Sequence, residues 1–151
     1  MDSFFLFPRI LIPVMSAFYG IAALPLAHWL HPYVTLSKRR VLIALAPSLL
    51  MLALFCSFGV QLHNHFSGWP PTRGIEGFSP SLLAHACLAE YYFGAWIFVS
   101  LLLWPIVFVT FSIVRRCRSW LIYLSLHSFA FVISFIAIHL APNQYLDWWW
   151  D

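Results

Sequence analysis

Seven of the 151 residues are histidines: His28, His31, His63, His65, His85, His127 and His139. Imidazole is a good ligand for Zn²⁺, Cu²⁺ and haem iron, and it exchanges a proton near neutrality, so histidines in this number raise metal, haem and acid–base chemistry together. His63, His65, His85 and His139 form the candidate metal set, with the Glu90 carboxylate as a possible further ligand. His85 and His139 form the candidate pair for one haem b. Glu90 and His85 are the candidate acid and base of a lipid-directed enzyme. Each arrangement is loose in spacing. His85 and Glu90 are five residues apart, about 140° around a helix, whereas an HExxH pair puts both histidines on one face. His127 and His139 differ by about 120°, so they cannot line up for a second haem. The looseness favours solvated interfacial side chains over a bound ion.

Other catalytic templates are missing. No GxSxG elbow, P-loop or glycine-rich dinucleotide turn occurs, and Asp147 and Asp151 lie beyond Pro142, too late for a pair of acids at membrane depth. Cys56, Cys87 and Cys117 show no CxxC spacing, which leaves them as apolar filler; Cys117, within Arg115-Arg116-Cys117-Arg118, has the setting of a juxtamembrane acylation site.

The elements that must carry these residues follow from composition. Hydrophobic residues make up 62% of the chain, charged residues 9%, and the mean hydropathy is +0.84. Soluble globular domains carry roughly a quarter charged residues. The chain is therefore expected to be an all-α membrane protein, a single domain over residues 1–151. Four apolar segments are long enough to cross a bilayer, at about 8–30, 41–62, 81–114 and 119–141. The N-terminal segment is acidic at its start and apolar to Leu30, unlike a cleaved leader. Short connections at 31–40 and 115–118 predict an antiparallel four-helix bundle. The segment 63–80, rich in Gly and Pro, is expected as an outer loop. The third span is about 50 Å long at 1.5 Å per residue, so its residues 80–92 are expected to extend beyond the outer face.

Charge sets the orientation. Lys38, Arg39, Arg40, Arg115, Arg116 and Arg118 fall on one side, whereas Asp2, Glu76, Glu90, Asp147 and Asp151 fall on the other with Arg9 and Arg73. Basic loops stay in the cytoplasm. Both termini are therefore expected outside a bacterial inner membrane. The net charge of +3 is no nucleic-acid signature, because the bases sit beside lipid headgroups.

Packing surfaces can also be read. Tyr123, His127, Ala130, Ser134, Ala137 and Ala141 recur at spacings of three and four on the last span, a small and polar stripe of the kind that joins helices in lipid. Gly94, Ser100, Ser16, Gly20 and Ala23 are the expected opposing surfaces. His127 is then either a functional intramembrane group or a hydrogen bond between helices. Trp148, Trp149 and Trp150 are expected to anchor the tail in the interface or to contact a partner. Taken together, these features predict a protein that works by contact, as an accessory subunit or an immunity-type protein, with another membrane protein or a second copy as partner. The metal- or haem-binding module and the lipid-directed enzyme are the alternatives.

Overall fold

The computed structural model describes residues 3–30, 36–68, 70 and 79–150. Among them every regular element is helical. These are α1 (Ser3–Leu30), α2 (Lys38–Phe66), α3 (Pro80–Ile113), a 3-10 turn (Arg115–Trp120), α4 (Leu121–His139) and α5 (Asn143–Trp150). Among the described residues two stretches are long and apolar enough to cross a membrane, Lys38–Phe66 and the continuous run Arg115–His139.

The helix ends follow local chemistry more closely than hydropathy. Ser79 caps α3 by accepting from Leu82 N–H at 3.3 Å, and Pro80 takes the first helical position, where its missing N–H costs nothing. The helix then runs unbroken for 34 residues, through Pro105. α2 does not stop where its apolar run stops. It continues four residues past 62, through His63 and His65, and ends only where Ser67 turns left-handed (φ 53°) and Gly68 N–H closes back on His63 O at 3.0 Å. The expected loop at 63–80 therefore begins late, and His63 and His65 are helical. Likewise α4 is shorter than the expected 119–141, because a 3-10 turn precedes it. The tail folds as α5, with Pro142 O accepting from Tyr145 N–H and Leu146 N–H.

α4 is the central helix. It packs against both α1 and α2, and α3 reaches it mainly through large aromatic side chains. Residue pairs give the directions. Ser37 meets Tyr123 and Ala44 meets His127, so α2 and α4 run parallel. Gly20 meets Ser125 while Ala27 clusters with Leu121, so α1 and α4 run antiparallel. Gln61 meets His85 and Pro47 meets Tyr92, so α2 and α3 are antiparallel as well.

The α1–α4 contact is made by small residues. Ser16, Gly20, Ala23 and Ala27 are all buried, and a Cβ at Gly20 would stand 3.0 Å from Ser128 Cβ. This is the surface expected for Ser16, Gly20 and Ala23. The stripe on α4 is a poorer match. Tyr123, His127 and Ser134 are buried, but Ala137 is exposed, and Leu121, Leu124, Ser125, Ser128, Phe131, Phe135 and Ile138 are buried beside them. A central helix is covered on several sides, so one stripe underestimates its contacts. Gly94 is exposed, a Cβ there would meet nothing within 4 Å among the described residues, and it is not a packing surface, which corrects the expectation for that residue. The Ser100 side chain lies outside the described residues, as do Asp2, His31, Arg73, Glu76 and Asp151.

Candidate functional site

Among the described residues His127 is the one buried histidine. Its Nδ1 lies 2.7 Å from Ala44 O on α2, and because a carbonyl only accepts, Nδ1 carries the proton. In the neutral ring Nε2 is then a bare acceptor, and it is buried without a hydrogen-bond partner among the described residues. Trp96 and Trp104 of α3 stand edge-to-face around the imidazole, with centroids at 5.1 and 5.0 Å and interplanar angles of 78° and 88°. Pro47 of α2 leaves the carbonyl of Ile43 without its helical N–H, and its own carbonyl accepts from Tyr92 O–H of α3 at 2.7 Å. His127 and Tyr92 thus fasten α4 and α3 to the same region of α2. Solvent does not reach the imidazole, which is 7% exposed, so its chemistry as it stands is to hold helices.

At the far end of α2 a second polar group spans α2 and α3. His85 Nδ1 is 2.7 Å from Gln61 Oε1, and Nε2 is 3.0 Å from Ser57 Oγ. Ser57 O–H also lies 3.0 Å from Leu54 O, so the hydroxyl can donate to Leu54 O or to the imidazole. Gln61 and Ser57 are four residues apart and therefore share a helix face, which is what allows one histidine to take both. Phe58 packs beside His85 with a centroid distance of 5.6 Å. His63 Nδ1 is 3.0 Å from Tyr145 Oη of α5. Phe58, Leu62 and Leu82 form the apolar floor of this end, with Tyr145 against it.

The sequence-derived site residues fall apart into separate partnerships. His85 turns to Gln61 and Ser57, His63 to Tyr145, and His139 Nδ1 back to Phe135 O of its own helix at 2.9 Å. His65 is exposed, its ring edge-on to Phe66. Among the described residues no three His, Cys, Asp or Glu side chains are grouped so as to hold a metal ion. Glu90 is exposed, whereas His85 five residues earlier is engaged by α2, so the pair is not brought together as acid and base. The backbone of Trp148, Trp149 and Trp150 lies in α5, and their side chains fall outside the described residues. Nor does residue 80–92 stand alone as a spur. Leu82 and His85 pack on Phe58, Leu62 and Gln61 of α2.

Sequence reasoning missed Ser57, Gln61, Tyr92 and Tyr145. The four-residue spacing of Ser57 and Gln61 was a usable signal of a polar face; Tyr92 and Tyr145 carried none, since a tyrosine in an apolar segment reads as an interface anchor. The chain matches no family model, no curated protein and no solved structure.

Proposed function

We propose that this chain is an integral membrane protein with four spans, α1 to α4, that works by contact with another membrane protein, as an accessory subunit or an immunity-type protein. One observation carries the reading: the exterior is apolar, while polar side chains are accommodated inside. Among the described residues the buried polar ones are five serines and a histidine, Ser16, Ser48, Ser125, His127, Ser128 and Ser134. The exposed residues include Phe18, Ile21, Leu42, Val60, Phe98, Ile106, Ile113 and Ile133, large apolar side chains from all four long helices. Water would penalise such a surface, and hydrocarbon would not. Contact, rather than chemistry, is favoured because His127, His85 and His63 each bind a neighbouring helix. In this reading the bases at the starts of α2 and α4 face the cytoplasm, and both termini face outward.

The test is a pair of reporter fusions and a purification. A C-terminal phosphatase fusion is expected to be active and a cytoplasmic reporter at the same place silent; the reverse overturns the orientation. Detergent-solubilised protein is expected to retain a crosslinked membrane partner that is lost when residues 148–151 are removed. A Soret band or a stoichiometric metal in that preparation overturns the contact reading.

A further inference from the structure

Six of the eight basic residues meet at one end of the molecule, and among the described residues no ion pair neutralises them. Lys38, Arg39 and Arg40 open α2, and Arg115, Arg116 and Arg118 lie in the 3-10 turn before α4. These segments are far apart in sequence but tied in space. Ser37 N–H donates to Tyr123 Oη at 2.8 Å, and the Arg40 guanidinium lies over Trp120 at 4.7 Å from the ring centroid, with Tyr123 at 6.0 Å. A cation–π contact with an indole does not use up the guanidinium's N–H donors. Arg118 is fixed separately: its Nε–H donates to Ser112 O at 3.3 Å, which leaves the terminal nitrogens available. Two cations are therefore held in place, and the other four lie in the same two segments.

No Asp or Glu occurs between residues 3 and 75 or between 91 and 146. No carboxylate from α1, α2, the 3-10 turn or α4 can serve this cluster. Among the described residues no carboxylate stands against this cluster, which leaves the counter-charge to a ligand. What flanks the cluster says which kind. Leu36, Leu42 and Ile43 on the α2 side, and Ile113 and Val114 on the α3 side, are large apolar residues exposed next to the bases. A free anion gains nothing from them. An anion carrying acyl chains gains from both surfaces.

We infer that Arg40 and Arg118, positioned by Trp120 and Ser112, form a specific site for the headgroup phosphate of an anionic phospholipid, whose chains lie along exposed α2 and α3. This rests on the membrane reading above and adds a defined lipid ligand to it. Guanidinium forks match phosphate oxygens in pairs, so fixed arginines bind one headgroup in a set geometry where mobile lysines provide only diffuse attraction.

Native mass spectrometry of the full chain in detergent tests this, with phosphatidylglycerol, phosphatidylcholine and inorganic phosphate as probes. Phosphatidylglycerol is expected to be retained in preference to phosphatidylcholine. Arg40→Gln and Arg118→Gln should each weaken retention roughly fivefold, the scale of one basic residue at an anionic surface. The exposed pair Lys38→Gln and Arg39→Gln should weaken it less, and it serves as the folding-neutral comparison. Equal retention of the two lipids, or equal loss in the two sets of variants, overturns the site. Binding of inorganic phosphate that matches phosphatidylglycerol overturns the lipid as ligand. Release of the chain from membranes by alkaline carbonate would defeat the membrane reading itself, whereas firm residence without lipid preference defeats only this inference.

Discussion

Two serines three residues apart on α4 give a sharp test of how polar groups act in this core. Ser125 and Ser128 are 1% and 0% exposed, on the side of α4 that meets α1. Ser125 O–H donates to Gly20 O at 2.9 Å; Ser128 Oγ has no hydrogen-bond partner among the described residues. Ser125→Ala removes an interhelical bond and leaves Gly20 O with the N–H of its own helix, a loss of about 0.6 kcal/mol on average and at most about 1.7 in membrane proteins. Ser128→Ala removes a buried hydroxyl whose desolvation is uncompensated, a relief of about 1–3 kcal/mol. It keeps the Cβ that sets the approach of α1. Alanine improves helix propensity by the same few tenths at both sites, so that effect cancels in the comparison. The two variants should therefore move in opposite directions, separated by about 2 kcal/mol or more, over tenfold in the unfolding equilibrium. Denaturant titration in mixed micelles, followed by the fluorescence of the eight tryptophans, reads both. Destabilisation of Ser128→Ala equal to that of Ser125→Ala would refute the reasoning, since it would mean that the Ser128 hydroxyl has found a partner.

Three further variants probe the remaining contacts. Gly20→Val adds a Cβ 3.0 Å from Ser128 Cβ, which is fixed to its helix, so α1 and α4 must separate; the melting midpoint should fall by several degrees. An unchanged midpoint would show that the helices are not in this close contact. Tyr92→Phe removes only the O–H donated to Pro47 O and should cost about 0.6 kcal/mol in the same titration, with no cost counting against that bond. His85→Ala breaks both ties to Gln61 and Ser57 and should loosen α2 from α3, read as faster hydrogen exchange at residues 57–66; exchange no faster than in the wild type would refute the clasp.

The sequence carried the helices well and the polar side chains poorly, for a physical reason. Apolar length acts locally, so the span expected at about 81–114 lies within a residue of α3 (Pro80–Ile113) at both ends. The α1 surface of Ser16, Gly20 and Ala23 was legible because close backbone approach demands small residues at helical spacing. The end of α2 was not, since His63, Asn64 and His65 look like a loop by hydropathy but their backbone hydrogen bonds continue until Ser67 breaks them. The histidines were assigned to one cluster by depth alone. Depth does not give azimuth, and azimuth sent His85 to Gln61, His63 to Tyr145 and His139 to its own backbone. For His127 the two readings, functional group or helix tie, could not be separated without knowing that Ala44 O lies opposite its Nδ1.

The two ends of the molecule differ in what they leave unfinished. At the His85 end, Gln61, Ser57 and Tyr145 answer the polar atoms of His85 and His63 from within the chain. At the Arg40 end, Trp120, Tyr123 and Ser112 orient two guanidiniums without offsetting any of their charge. Aromatic rings and carbonyls can hold a cation in place, but only an anion neutralises it. Hence a ligand drawn by charge belongs at the basic end. A protein partner at the other end must be held by surface the chain has not already used: the exposed Tyr91, Leu88 and Glu90 on α3, and α5. On that basis, replacing the basic residues should alter lipid retention while leaving partner capture intact, and truncating α5 should do the converse.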